Sequence, residues 1–305
     1  MTSAVTETAN PATASLPRFT APADGRLDAD MLAAYRDAGV LILEDFVSPD
    51  SCRELQQRAL ELVAEFDPAD LKSVFSTTRQ TQLDDRYFIE SGDKIRFFLE
   101  EDAFDGAGNL RQPREQCLNK IGHAMHDLDP VFERFSHSDK LAGLADSIGY
   151  ADPVIIQSMY IFKPPHIGGE VVCHQDSTYL YTEPESCTGF WFALEDATVD
   201  NGCMYFIPGE HRGPLRQRNR RVTDTQLATE ALDATPFPER SKQPAEARAG
   251  ALVLFDGRTP HLSGPNRSER SRHAYTLHAI DRHCHYPADN WLQRRADLPL
   301  RGFRA

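Results

Sequence analysis

Three side chains carry the chemistry this sequence can do. His174 and Asp176 stand two apart in Val172-Cys173-His174-Gln175-Asp176. On a strand, side chains alternate, so that spacing puts an imidazole and a carboxylate on one face. Side by side they can hold a divalent metal. A third ligand has to come from far along the chain. His261 offers one, 85 residues after Asp176 and just past the apolar run Ala251-Leu252-Val253-Leu254-Phe255. Two imidazoles and one carboxylate on one face of a metal leave its other positions open, as non-haem iron(II) oxygenases require. A bare His-x-Asp is a common accident, and a lone histidine is more often a satisfied or exposed side chain than a ligand. The distant histidine and the residue that follows it strengthen the pattern. Arg272 lies eleven residues after His261 and opens the alternating run Arg272, Ala274, Thr276, His278. An inward arginine needs an anionic partner, and its planar fork suits the carboxylate of a substrate or cosubstrate. An ordinary Arg–Asp structural pair is the competing reading.

The elements that must position these groups fall into two halves. Residues 1–24 are rich in Ala, Thr, Ser and Pro without periodicity and read as a disordered leader. Asp28 caps a first helix and Gly39 ends it. A short strand, Val40-Leu41-Ile42-Leu43, follows. Ser48-Pro49-Asp50 starts a second helix with the apolar stripe Cys52, Leu55, Ala59, Leu62 and Phe66, stopped by Asp67-Pro68. Alternation predicts a strand over 93–98. Spacings of three and four predict helices over 115–128, with Leu118, Ile121, Met125 and Leu128 inward, and over 138–148, ended by Gly149. After Pro153 the texture turns β-rich, with runs at 154–162, 170–176, 189–195 and 203–207, and Asn201-Gly202 is a hairpin signal. Residues 213–248 are charged and Pro-broken and read as an exposed insertion; strands resume at 249–255 and 272–280. Helices first and short antiparallel strands afterwards argue for one domain over 25–305, mainly β with flanking helices, built as a jelly roll.

The totals bound the function. A chain of 305 residues with net charge −13 presents a surface that repels phosphate backbones, so nucleic-acid binding is disfavoured. No apolar run approaches the roughly 20 residues that cross a bilayer, and the first residues match neither a signal nor a transit peptide. The six cysteines show no Cys-x-x-Cys spacing and read as reduced thiols in a cytoplasmic protein. Nothing demands more than a monomer.

The motifs together resemble the phytanoyl-CoA dioxygenase family of Fe(II)/2-oxoglutarate oxygenases, and within it the phytanoyl-CoA dioxygenase domain-containing protein 1 branch. The resemblance rests on His174-Gln175-Asp176, on Asn201-Gly202-Cys203-Met204-Tyr205-Phe206-Ile207-Pro208-Gly209-Glu210-His211, and on His261 and Arg272. Ser91-Gly92-Asp93-Lys94, Asn119-Lys120-Ile121-Gly122-His123, Gln157-Ser158-Met159-Tyr160-Ile161-Phe162-Lys163 and Leu180-Tyr181-Thr182-Glu183-Pro184 add to it. It implies a double-stranded β-helix of cupin type. His174, Asp176 and His261 would ligate Fe(II). Arg272, helped by Ser263, would bind the distal carboxylate of the cosubstrate 2-oxoglutarate. Lys94, Met159 and Trp191 would be further cosubstrate contacts, Lys94 on the carboxylate nearer the metal. The implied reaction is hydroxylation of a small molecule by dioxygen with release of succinate and CO2. In related halogenases a small residue replaces the carboxylate ligand; Asp176 here favours hydroxylation. A non-catalytic iron and 2-oxoglutarate sensor on the same fold is the alternative, and a cupin-type metal protein without the cosubstrate is a third reading.

Other features point elsewhere. His283-Cys284-His285 is weak as a second metal site because Pro287 interrupts it. His211 reads as a structural hydrogen-bonder, and His166 as a loop residue near substrate. Glu100-Glu101-Asp102 and Glu195-Asp196 read as solvated faces. The run Arg216-Gln217-Arg218-Asn219-Arg220-Arg221 would either meet an anionic substrate or, more simply, form an exposed loop.

Overall fold

Helices and strands are interspersed up to residue 147, and after it the longer regular elements are all strands. The structure is a computed structural model that describes residues 15–66, 73–80 and 83–304. β1 (Arg18–Thr20) precedes α1 (Ala29–Ala38), which Asp28 caps by accepting from the Met31 N–H and which Gly39 ends at φ 73°. β2 (Val40–Glu44) leads to α2 (Pro49–Glu65), capped by Ser48, with Cys52, Leu55, Ala59 and Val63 on its buried side. Losing such a cap costs about 1 kcal/mol. Next come α3 (Arg86–Ile89), β3 (Ile95–Leu99), β4 (Leu118–His123), α4 (Met125–Leu128), α5 (Pro130–Ser136) and α6 (Asp139–Ser147). The second half holds β5 (Pro153–Ile161), β6 (Val171–His174), β7 (Thr188–Ala193) and β8 (Met204–Phe206). It continues with β9 (Gln217–Thr223), β10 (Gln226–Ala231), β11 (Gln243–Ala245) and β12 (Leu252–Asp256). It closes with β13 (His261–Ser263), β14 (Ala274–Asp281) and β15 (Arg301–Gly302).

The major sheet runs β1-β2-β12-β7-β14-β5-β4-β3 with β15 beside β5; the minor sheet runs β11-β8-β13-β6. The two close into the double-stranded β-helix. Central strands of the major sheet are covered on both faces, which is why they read as continuous apolar runs. Phe190, Phe192, Leu252, Leu254, Tyr275 and Leu277 pack with the helices. Their alternates Trp191, Val253, Phe255 and Ala274 pack against Met204 and Phe206 of the minor sheet. This second layer is the floor of the site, and alternation puts Met159, Trp191, Thr276 and His278 on it.

The structure changes several expectations. Residues 118–123 form a strand, not a helix. A bulge opposite Phe98–Leu99 puts Leu118 and Ile121 on one face of β4, paired with Leu99 and Phe97 and buried in the same core. A spacing of three therefore mimicked a helical stripe, and Leu128 is exposed. Asn201-Gly202 makes a turn, with Gly202 at φ 81°, but it carries the chain from β7 in one sheet to β8 in the other and pairs no hairpin. In 213–248, β9 and β10 form a hairpin and β11 joins the minor sheet, with Asn219 and Leu227 buried. Of the expected leader, residues 1–14 lie outside the described residues, while β1 pairs with β2 in parallel and Leu16 is buried. Asp67-Pro68 also lies outside the described residues; α2 ends at Glu65, with Phe66 as its extended C-cap. Among the described residues no helix is long and apolar enough to cross a membrane.

Candidate metal centre

His174 ends β6 and His261 begins β13, and the two are direct partners across that antiparallel ladder. Their ring centroids lie 4.2 Å apart. Asp176 is reached by a turn: the strand stops at His174, and Asp176–Thr178 winds into one tight helical turn. The two-residue spacing thus works through a strand end plus a turn, not through strand alternation. Ser177 N–H donates to the Gly257 carbonyl at 2.9 Å and pins that turn. Gln175 points away from the metal side, as its place between two ligands implies. It donates to the carbonyls of Arg258 and Pro214 and accepts from the Arg216 N–H.

One ligand atom from each of His174, Asp176 and His261 falls within 4.8 Å of the others. The Nε2 atoms of His174 and His261 lie 3.4 and 3.6 Å from Asp176 Oδ1. His174 Nδ1 donates to the Val172 carbonyl at 2.8 Å, and His261 Nδ1 to the Thr259 carbonyl at 3.0 Å. Those bonds fix the tautomers and leave both Nε2 lone pairs facing the carboxylate, as metal ligation needs. Burial, with repulsion from His174, brings the His261 pKa down to about 4. Burial alone would raise the Asp176 pKa, but His261 and His278, the latter also through its hydrogen bond, hold it well below the ordinary carboxylate range. A neutral imidazole and an ionised carboxylate are the forms a divalent metal takes.

A cavity of about 170 Å³ opens off the triad. Met159, Trp191, Ser263 and Arg272 all line it, so four of the five expected cosubstrate contacts converge there. Arg272 is buried at 2% exposure, its guanidinium 5.3 Å from the Trp191 ring centre. Nε donates to the Gly202 carbonyl at 3.2 Å, while Nη1 has no partner. Trp191 Nε1 and Thr276 Oγ1, side by side on β7 and β14, are also buried without partners. Burial lowers the Arg272 pKa only to about 10, so the cation persists at neutral pH, with no carboxylate bonded to it among the described residues. Such a cation and two orphaned groups fit a bound anion. The donor set and these orphans together fit a metal with a carboxylate-bearing cosubstrate.

Lys94 is not brought to this cavity. Its side chain is 43% exposed, and Nζ donates to the Glu90 carbonyl and to Asp93. The reason is the short turn before β3: Lys94 precedes the strand and faces solvent. The cavity cations that sequence reasoning missed are Lys120 and Lys163. Lys120 lines the wall 3.3 Å from the Phe75 ring centre, and burial brings its pKa down to about 7. Lys163 Nζ donates to Ser263 Oγ at 3.0 Å and to the Gly169 carbonyl. Glu100, expected in solvent, is 1% exposed and accepts from the Gly169 N–H. Only the misread strand β4 hid Lys120; as a strand residue it pairs with Phe98 and faces opposite to its neighbour Ile121.

His166 lies outside the cavity and pairs with Glu269, and His211 donates to the Arg36 carbonyl as a structural group. His283 and His285 join no metal cluster among the described residues. The basic run is paired: Arg216 with Asp233, Arg218 with Asp289, Arg220 with Glu230, and Arg221 with the carbonyls of Ile89 and Trp291.

Comparison with known proteins agrees with this geometry. Residues 35–274 match the family model described as phytanoyl-CoA dioxygenase (PhyH). A protein of Arabidopsis thaliana named phytanoyl-CoA dioxygenase is 45% identical over 276 residues, covering 90% of this chain and 96% of the relative. Phytanoyl-CoA dioxygenase domain-containing protein 1 of Bos taurus is 45% identical over 283 residues, covering 90% and 97%. Among solved structures, EctD from S. alaskensis with bound Fe superposes with a TM-score of 0.61 at 21% identity, covering 97% of this chain and 91% of that one. The epimerase SnoN, in complex with Fe3+, alpha ketoglutarate and nogalamycin RO, superposes at 0.59 and 17% identity, covering 90% and 92%. The structural likeness shows the double-stranded β-helix fold, and the sequence likeness shows the kinship: the chain belongs to the phytanoyl-CoA dioxygenase family.

Proposed function

We propose that this protein is an Fe(II)- and 2-oxoglutarate-dependent dioxygenase that hydroxylates a small molecule. The observation that carries the reading is the Arg272 guanidinium, buried with Nη1 unpartnered among the described residues, in the same cavity as the His174–Asp176–His261 triad. When bound, iron and 2-oxoglutarate supply the oxidising power, with one atom of dioxygen going to the substrate and one to succinate as CO2 leaves.

The chain's own residues bind, orient and shield. His174, Asp176 and His261 would hold the metal from one side. Arg272 would grip the distal carboxylate of 2-oxoglutarate, with Ser263 beside it and Lys163 orienting the Ser263 hydroxyl. Trp191 and Thr276 would supply the remaining donors, and Met159 an apolar wall. Lys120, in place of Lys94, is the cation suited to the carboxylate nearer the metal. Asp176 retains the carboxylate that hydroxylation uses.

The test is succinate formation from 2-oxoglutarate with added Fe(II), compared with Asp176→Ala. Consumption of cosubstrate by the parent and its loss in the variant is the expected result. Equal consumption by both would remove the ligand assignment. Binding of both iron and 2-oxoglutarate without turnover across a broad substrate screen would favour the sensor reading.

A further inference from the structure

One buried polar group in the cavity is used by neither the metal nor the cosubstrate. Asn219, in the middle of β9, is 1% exposed and lines the same cavity as the triad. Its Nδ2 donates to Thr229 Oγ1 across the hairpin at 3.2 Å, which anchors that end of the amide. Its Oδ1 is buried with no hydrogen-bond partner among the described residues. β9 packs against the turn that carries Asp176, so this carbonyl belongs to the cavity wall beside that turn. Leu227 from the paired strand lines the same cavity, and Phe75, Phe88, Tyr179, Leu180 and Trp291 make the rest of that region apolar. A buried carbonyl without a donor is costly, and native proteins keep very few.

We infer that Asn219 determines specificity for the prime substrate. Its Oδ1 accepts a hydrogen bond from a hydroxyl or amino group on a compact, otherwise apolar molecule, and so sets which carbon of that molecule faces the metal. The inference rests on the iron and 2-oxoglutarate reading and names the substrate class for it. The same hairpin argues against a CoA thioester. Its phosphates need free cations, yet Arg216, Arg218 and Arg220 are each paired with a carboxylate, and Arg221 with backbone carbonyls.

The test uses the full chain loaded with Fe(II) and 2-oxoglutarate without oxygen. Benzyl alcohol and benzylamine are titrated against the shape-matched ethylbenzene, with acetyl-CoA as a fourth probe, and dissociation constants are read by ligand-observed NMR. The two donor probes are expected to bind about tenfold more tightly than ethylbenzene, because a site built for a hydrogen bond rejects the analogue lacking it. Asn219→Leu should abolish that preference. Asn219→Asp, which keeps the size and acceptor and adds charge, should shift it toward the ammonium of benzylamine. Equal binding of matched probes, no binding of either donor, a preference that survives Asn219→Leu, or tightest binding of acetyl-CoA would each overturn the assignment. Thermal stabilisation by Fe(II) with 2-oxoglutarate, measured in parent and variants, separates the two readings. Its absence in the parent defeats the metal reading, and its presence without probe discrimination defeats the Asn219 assignment alone.

Discussion

His278 Nε2 donates to Asp176 Oδ2 at 2.8 Å, while the other oxygen of that carboxylate faces the two ligand imidazoles. The bond comes from β14, in the opposite sheet from His174 and His261, so it ties the ligand turn to the floor of the site. It also occupies one carboxylate oxygen and leaves the other for the metal. Removing such a partner typically weakens metal binding by about 10- to 100-fold. His278→Leu should show that loss in a Co(II) titration, and His278→Gln, which keeps a donor, should recover part of it. Equal affinity in all three proteins would make His278 a packing residue.

Arg272 is a buried cation without an anion in the ligand-free protein. Replacing it with Leu should leave stability unchanged or raise it by about 1–3 kcal/mol in the absence of ligands. The same change should cost about 3 kcal/mol of 2-oxoglutarate binding, roughly a hundredfold. Urea unfolding and calorimetric titration measure the two effects. A destabilised Arg272→Leu that still binds cosubstrate would point to an ordinary structural arginine.

The two lysines separate cleanly. Lys94→Ala should change stability by less than about 0.5 kcal/mol and leave 2-oxoglutarate affinity intact, since its contacts are exposed. Lys120→Met should weaken the cosubstrate by about tenfold, the size of one charge-assisted hydrogen bond. The reverse order of effects in a binding titration would restore the first assignment.

His123 gives a pH signature. It is buried, with Nδ1 2.7 Å from Ser91 Oγ, and Phe88, Phe98 and Trp291 surround it. Burial, with repulsion from Lys120, holds its pKa well below the ordinary 6.5. The unfolded chain therefore takes up a proton that the folded one refuses. The stability this contributes is complete above about pH 6.5 and falls as pH drops below it, by about 1.4 kcal/mol per pH unit. His123→Phe should flatten the pH dependence of unfolding below about pH 6 by that amount, read from urea titrations at several pH values. An unchanged slope would mean that the imidazole is already protonated when folded.

Much of the site was legible because it depends on local rules. Ser48 and Asp28 cap helices and Gly39 ends one, each by its own backbone chemistry. The alternation holds over Ala274, Thr276 and His278 because β14 is regular there, and Arg272, two residues before the strand, reaches the same cavity. Asp176 was found by the wrong local geometry: its residue type was right, but a turn after β6 places it.

Read along the chain, residue types and strand period gave the ligand types, the strand that carries His174 and the inward face that holds Arg272. These follow from side-chain chemistry and strand period, which act within a few residues. Packing between distant strands brings Lys120 rather than Lys94 into the cavity, buries Glu100 and lends Asn219 of 213–248 to the wall. Those outcomes depend on which strands are covered on both faces and on what packs across from them, and spacing along the chain does not encode either.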